Sequence, residues 1–306
     1  MRNAAVMFSG QGAQKIGMGK EFYDSSDICR RVFDEASEAL KMDVAALCFE
    51  HGDRLNQTEF AQPALLTVSI AAYRLLQHRG FTPTLLMGLS LGEYSALCAA
   101  GAINFADAVS LVHKRGRIMT EFATPGSMLA VMGLPRDVLE DICAKAENTG
   151  FVTCANFNTY DQIVLAGEKG ALDFCVPEIK AAGGKAIALK VSGPFHTKLL
   201  ATAAEKFKDE LMQIAVSKPT LPVISNLTAD TFNTENYIEQ LTQHMISPVR
   251  WVECVEKAKN MGITAFIELG SGKTLVNFVK KIDDGVETFA VENIKDLEGW
   301  HERKQA

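Results

Sequence analysis

The pentapeptide Gly88-Leu89-Ser90-Leu91-Gly92 constrains this chain more than any other feature, because it follows an apolar run, Leu85-Leu86-Met87, and precedes a helical pattern that ends near Gly101. Strand, glycine-flanked turn and helix in that order expose the central hydroxyl, while the helix N-terminus and the Leu91 amide can stabilise an oxyanion. The same turn accommodates an ordinary N-capping serine, so the pattern alone leaves both readings open. Upstream, residues 4–8 read as a short buried strand that runs into Ser9-Gly10-Gln11-Gly12-Ala13-Gln14, where two glycines permit tight backbone geometry. Apolar residues then recur at helical spacing over 63–76 until Gly80 punctuates the pattern.

From residue 127 the rhythm changes. The pattern predicts a strand at 128–132, a helix at 135–147 and a strand at 151–156, then a strand at 162–166, a helix at 171–182 and a strand at 185–191. That βαββαβ order is ferredoxin-like. Strands predicted at 222–226 and 263–268 then complete an interrupted parallel sheet. The expected architecture is α/β, with a parallel-sheet core from residues 1–125 and 196–306 and an inserted ferredoxin-like subdomain at 126–195. His301 to Ala306 reads as a frayed polar tail.

Composition narrows the function classes. A net charge of −6 and a pI near 5.6 leave no electrostatic footprint for nucleic acid. The apolar start, Ala4 to Phe8, is too short for a signal-peptide core, and no stretch is apolar and long enough to span a membrane. Seven cysteines at irregular spacing, with no CxxC pair, suit reduced thiols, so a cytoplasmic protein is expected. No cluster of His, Cys or carboxylates has metal-ligand spacing, so no metal is expected.

A serine nucleophile needs a base, and the histidines are His51, His78, His113, His196, His244 and His301. His196 closes the rigid, small-residue stretch Val191-Ser192-Gly193-Pro194-Phe195-His196 after a predicted strand, which suits an imidazole held at the top of a sheet; alone, it also fits a surface loop. No Asp or Glu between Ser90 and His196 stands out as a third triad member, which favours a dyad oriented by a backbone carbonyl. Arg115 falls inside the apolar stripe of Leu111, Val112, Ile118 and Met119. A guanidinium on an inner helix face must find an anion, either a protein carboxylate or the carboxylate of a substrate. Two nucleotide patterns fail: Gly10-Gln11-Gly12 has Lys15 where a third glycine is required, and Gly272-Lys273-Thr274 has Ile267 at the earlier glycine position.

Taken together, Phe8 to Gln14, Gly88 to Ala96, Arg115-Gly116, Asn156-Phe157-Asn158, Gly193 to His196, Ser247-Pro248-Val249-Arg250-Trp251 and Glu268 to Gly272 resemble the malonyl-CoA:acyl carrier protein transacylases and the acyltransferase domains of polyketide synthases. The resemblance runs along almost the whole chain. It implies a hydrolase-like core carrying the ferredoxin-like insert. It also implies Ser90 as nucleophile, His196 as base, Gln11 and Leu91 as oxyanion-hole amides, and Arg115 as partner of the malonyl carboxylate. By the same resemblance Phe195, Met119 and Asn158 line the substrate site, Asn156 sits at its rim, and a backbone carbonyl near His244 orients the base. Two positions depart from the family pattern: Leu89, where many members carry histidine, and His244, where glutamine is common. Phe195 resembles malonyl-selective members.

The implied reaction transfers malonyl from coenzyme A to holo acyl carrier protein for fatty acid biosynthesis. The coenzyme A thioester is a substrate, and no cofactor is implied. A trans-acting polyketide acyltransferase and a thioesterase using the same dyad are the alternatives. A monomer is expected. Because carrier proteins are acidic, a local basic patch is needed for docking, and Lys185, Lys190 and Lys198 are candidates for it.

Overall fold

A computed structural model describes residues 3–305. Strand β1 (Ala4–Phe8) is buried along its whole length, as a parallel strand covered on both faces must be. The chain then forms α1 (Lys20–Ser25), α2 (Asp27–Leu40), α3 (Val44–Phe49), α4 (Gly52–Leu55) and the long α5 (Thr58–His78) before β2 (Leu85–Gly88). Next come α6 (Leu91–Ala99) and α7 (Phe105–Glu121). Helix α5 starts earlier than the expected 63–76, so Pro63 lies inside it. Proline at the sixth helical position removes one amide near the start, where few intrahelical bonds are lost.

The second unit contains β3 (Ser127–Met132), α8 (Arg136–Lys145), β4 (Val152–Phe157), β5 (Gln162–Gly167), α9 (Lys169–Ala181) and β6 (Lys185–Ala188). Its four strands are antiparallel in the order β4-β5-β3-β6, the pairing of a ferredoxin-like βαββαβ unit. Strand β6 stops at Ala188, short of the expected 191, and Leu189 bonds back to the Met128 carbonyl at 2.9 Å.

The chain returns through α10 (Ala201–Leu211), α11 (Tyr237–Ile246) and α12 (Trp251–Asn260) to β7 (Ala265–Leu269), α13 (Thr274–Ile282), β8 (Glu287–Val291) and α14 (Ile294–Gln305). The main sheet is parallel, in the order β2-β1-β7-β8. Alternate β1 side chains divide its two faces: Ala4, Val6 and Phe8 pack with α5, while Ala5 and Met7 pack with Trp251 and Leu275 from the other side.

Two expectations need correction. The strand expected at 222–226 is reduced to an isolated bridge between Val223 and Leu86, because Ile224 turns to pair antiparallel with Thr231 and the segment leaves the sheet. The expected frayed tail is helical as far as Gln305, and Ala306 lies outside the described residues. The sheet order also positions the site. From β1 the chain goes to β2 on one side and reaches β7 on the other, so the loops after β1 and β2 open next to each other at the carboxyl edge, where α/β sheets place ligands.

Candidate active site

Ser90 sits between β2 and α6 with φ 52° and ψ −101°, one of few non-glycine residues with positive φ. Such a conformation costs about 1–3 kcal/mol and persists only where packing imposes it. The packing is visible in its flanking glycines. A Cβ on Gly88 would come within 2.1 Å of Gly92 backbone, and one on Gly92 within 2.0 Å of the Phe8 carbonyl. The two glycines thus let α6 lie against β1 and β2, and the turn between them projects the serine.

The Ser90 hydroxyl is 2.7 Å from His196 Nε2. His196 also has positive φ, 60°, and its Nδ1–H donates to the His244 carbonyl at 2.9 Å. That bond places the proton on Nδ1 and leaves Nε2 free to accept from the serine. Burial, then the nearby Arg115 charge, push the His196 imidazole down to about 4, against the pull of the His244 carbonyl. The ring is therefore neutral, as a base must be, across the neutral pH range. Among the described residues no carboxylate touches it; orientation comes from a main-chain carbonyl.

Arg115 projects from α7 and is 1% exposed. Helix α7 reaches α5 because the next residue is glycine: a Cβ on Gly116 would meet the Thr58 carbonyl at 2.5 Å. Arg115 Nη1 donates to Gln62 Oε1 at 2.9 Å, Nη2 lies 3.4 Å from Ser90 Oγ, and the guanidinium stands 5.1 Å over the Tyr94 ring. Its Nε has no hydrogen-bond partner. Among the described residues Arg115 makes no ion pair: no carboxylate lies within hydrogen-bonding reach of its guanidinium, and Glu93 acts on it only from a distance.

Gln11, Leu91, Arg115, Met119, Asn158 and Phe195 all border a cleft of about 230 Å³ with Ser90 and His196. The Gln11 side chain donates to Thr58 Oγ1 at 2.9 Å, while Gly12 N–H is taken by Gln14 at 2.7 Å. Leu91 is the first residue of α6, so its N–H has no partner within the helix. Asn156 also lines the cleft, and buried Asn158 Oδ1 lacks a hydrogen-bond partner. The face of the antiparallel sheet bearing Met128, Ala130 and Val164 forms the opposite wall.

The three lysines that the sequence offers for docking lie on different elements. Lys190 lies beside the cleft with Arg117 in an adjoining groove, Lys198 lies over the Phe151 ring at 4.3 Å, and Lys185 is exposed at the start of edge strand β6. Among the described residues no cluster of His, Cys, Asp or Glu could hold a metal ion, and no helix is long and apolar enough to cross a membrane. All seven cysteines are free thiols.

Three residues at the site escape sequence reasoning. Gln62 holds Arg115 and donates to Met119 Sδ at 3.5 Å. Asn226 accepts from Ser90 N–H at 2.6 Å and donates to the Gly88 carbonyl at 2.8 Å. Glu93 accepts the Asn226 N–H at 2.8 Å. The available signal is a polar residue within an apolar run, the same signal that marks Arg115.

A neutral imidazole bonded to a serine at the carboxyl edge of a parallel sheet defines a class, the α/β enzymes that act through a serine nucleophile. A family model described as an acyl transferase domain matches residues 6–298, and the chain belongs to that family. The malonyl CoA-acyl carrier protein transacylase of Bacillus subtilis (strain 168) is 42% identical over 304 residues, which cover 97% of this chain and 96% of that protein. The crystal structure of malonyl CoA-acyl carrier protein transacylase from Clostridium perfringens superposes with a TM-score of 0.96 at 42% identity, covering 99% of this chain and 97% of that one. A type II PKS acyl-carrier protein in complex with its malonyl-transacylase matches with a TM-score of 0.95 at 35% identity, covering 98% and 99%.

Proposed function

We propose that this enzyme moves a malonyl group from coenzyme A to the phosphopantetheine thiol of an acyl carrier protein, through a malonyl ester on Ser90, for fatty acid synthesis. The observation that carries the reading is Arg115: a buried guanidinium that pairs with no carboxylate among the described residues, 3.4 Å from the Ser90 hydroxyl. An acyl group that ends in a carboxylate supplies the missing anion and is held with its thioester carbonyl at the serine. The names of the relatives agree with that substrate and acceptor.

In the first half-reaction His196 Nε2 takes the Ser90 proton as Oγ attacks the thioester carbonyl. The Gln11 and Leu91 amides receive the oxyanion, and the developing imidazolium is stabilised through Nδ1–H by the His244 carbonyl. Collapse expels coenzyme A, whose sulfur takes the proton from His196. The carrier thiol then loses its proton to His196, attacks the ester carbonyl and leaves with the malonyl group, and Ser90 recovers its proton. Phe195, Met119 and Asn158 shape the acyl pocket in this reading. The subdomain of residues 126–195, inserted between 1–125 and 196–306, supplies the far wall. The reaction draws on no cofactor, and we place it in the cytoplasm with the enzyme as a monomer. The carrier protein approaches on the side of Lys190 and Arg117.

Intact-mass measurement after incubation with malonyl-CoA tests the nucleophile. The wild type is expected to gain one malonyl group and to release it on addition of holo acyl carrier protein, with the carrier gaining it. Ser90→Ala is expected to gain none. A malonyl adduct that persists in Ser90→Ala assigns the chemistry to another residue.

A further inference from the structure

Beneath the reactive pair lies a second pair of ionisable side chains that the transfer mechanism does not use. Glu93 on α6 and His244 on α11 are 0% and 1% exposed, and Glu93 Oε2 approaches His244 Nδ1 to 3.5 Å. Neither His244 ring nitrogen has a hydrogen-bond partner. The His244 ring also faces His196, with centroids 5.1 Å apart and planes tilted by 33°.

Two chains of contacts rise from Glu93 to the two reactive groups. In one, its carboxyl accepts the Asn226 N–H at 2.8 Å, and the Asn226 side chain grips the nucleophile turn at Ser90 N–H and the Gly88 carbonyl. In the other, it meets the His244 ring, whose own main-chain carbonyl holds His196 Nδ1–H at 2.9 Å. The glutamate is the point where the support of the nucleophile and the support of the base meet.

We propose that Glu93 is a positioning residue for both Ser90 and His196, and that it shares one proton with the His244 imidazole. With the proton on the carboxyl, Oε2–H faces an unprotonated Nδ1. When the pair loses a proton, the carboxyl proton passes to Nδ1 as the Nε2 proton departs, which leaves an Nδ1–H toward the carboxylate and one negative charge next to His196. The groups facing the pair are Tyr94 on α6, Arg115 on α7, the His196 ring and Cys254 on α12. Burial holds the Tyr94 phenol and the Cys254 thiol in their neutral forms, so Arg115 is the one fixed charge among these neighbours. Burial also pushes Glu93 up to about 7 and, with the neighbouring His196 ring and the Arg115 charge, holds His244 well below the ordinary imidazole value. The shared proton is therefore exchanged near neutral pH, where the negative charge left behind favours the imidazolium that His196 becomes during transfer.

The inference rests on Ser90 and His196 acting as nucleophile and base, and the test separates the two ideas. The malonyl-loading rate is measured from about pH 5 to about pH 9, with kcat and KM for malonyl-CoA, for the wild type, Glu93→Ala, Glu93→Gln and His244→Gln. Glu93→Ala is expected to lower kcat by about 30-fold while KM changes less than about threefold, because Arg115 and Gln62 stay in place. Glu93→Gln keeps an oxygen for the Asn226 N–H, so it is expected to recover most of kcat while losing the inflection near neutral pH. His244→Gln offers an amide N–H to the carboxylate and is expected to move that inflection to lower pH. A kcat for Glu93→Ala within about twofold of wild type overturns the inference. So does a Glu93→Gln profile that superimposes on the wild type, which decides the matter even where the alanine variant does not fold. Failure of the wild type to form a malonyl ester overturns the proposed function and the inference with it. Normal wild-type loading with indifferent Glu93 variants overturns the inference alone.

Discussion

At 1% exposure and with no carboxylate among the described residues against it, the Arg115 guanidinium keeps a charge that burial makes costly, so an anion that reaches it recovers much of that cost. Arg115→Ala is expected to weaken malonyl transfer relative to acetyl transfer by on the order of 30-fold, about 2 kcal/mol. Parallel rate measurements with the two coenzyme A thioesters check this, and an equal loss of both contradicts the clamp. The same charge depresses His196, so in the proposed reaction a carboxylate seated on Arg115 would remove part of that push and raise the basicity of the imidazole. At this scale Ser90 was legible from its motif and Arg115 from its place in the apolar stripe of α7. Gln62, Glu93 and Asn226 were not, because a polar residue within an apolar run marks a need for a partner without saying which partner packing will supply.

Among the elements, the turn from β2 to α6 depends on close backbone approach more than on any side-chain bond. Replacing Gly92 by alanine puts a Cβ 2.0 Å from the Phe8 carbonyl, a contact that only separation of α6 from β1 relieves. Gly92→Ala is expected to lose about 3 kcal/mol or more of stability and the orientation of Ser90 with it. Urea unfolding together with malonyl loading measures both, and a variant of wild-type stability contradicts the packing argument. Element types were largely legible, since the helical spacing of α7 and the βαββαβ order of β3 to β6 are local patterns. Boundaries were not. Helix α5 runs through Pro63 because tertiary burial of nearly its whole surface outweighs one missing amide bond, and residues 222–226 leave the sheet after one bridge because Ile224 pairs with Thr231.

For the whole molecule, buried ionisable groups of opposite kind act against each other in stability. Glu268 accepts the Val276 N–H at 2.9 Å near the start of α13, and burial pushes it up to about 7 from 4.5. A raised carboxyl binds its proton more tightly in the folded state, so it costs nothing below about pH 4.5, and its cost is complete above about pH 7. His196, pushed down to about 4 from 6.5, has its cost complete below about pH 4 and absent above about pH 6.5. Between those limits the two slopes oppose each other. Glu268→Gln keeps an acceptor for Val276 and removes one slope, so its stability relative to wild type is expected to rise from about pH 5 to about pH 8, by up to about 3 kcal/mol. Urea midpoints of both proteins at both pH values measure it, and a pH-independent difference contradicts the linkage. The sequence by itself determined the class of fold, a serine on a strand-turn-helix junction and an arginine on an inner helix face, because each is written in the spacing of neighbouring residues. Only the tertiary structure decided that Ser90 and His196, 106 positions apart, meet at 2.7 Å, that among the described residues no carboxylate pairs directly with Arg115, and that Glu93 joins Asn226 to His244. Those partners are chosen by how sheet and helices pack, and no local pattern records that choice.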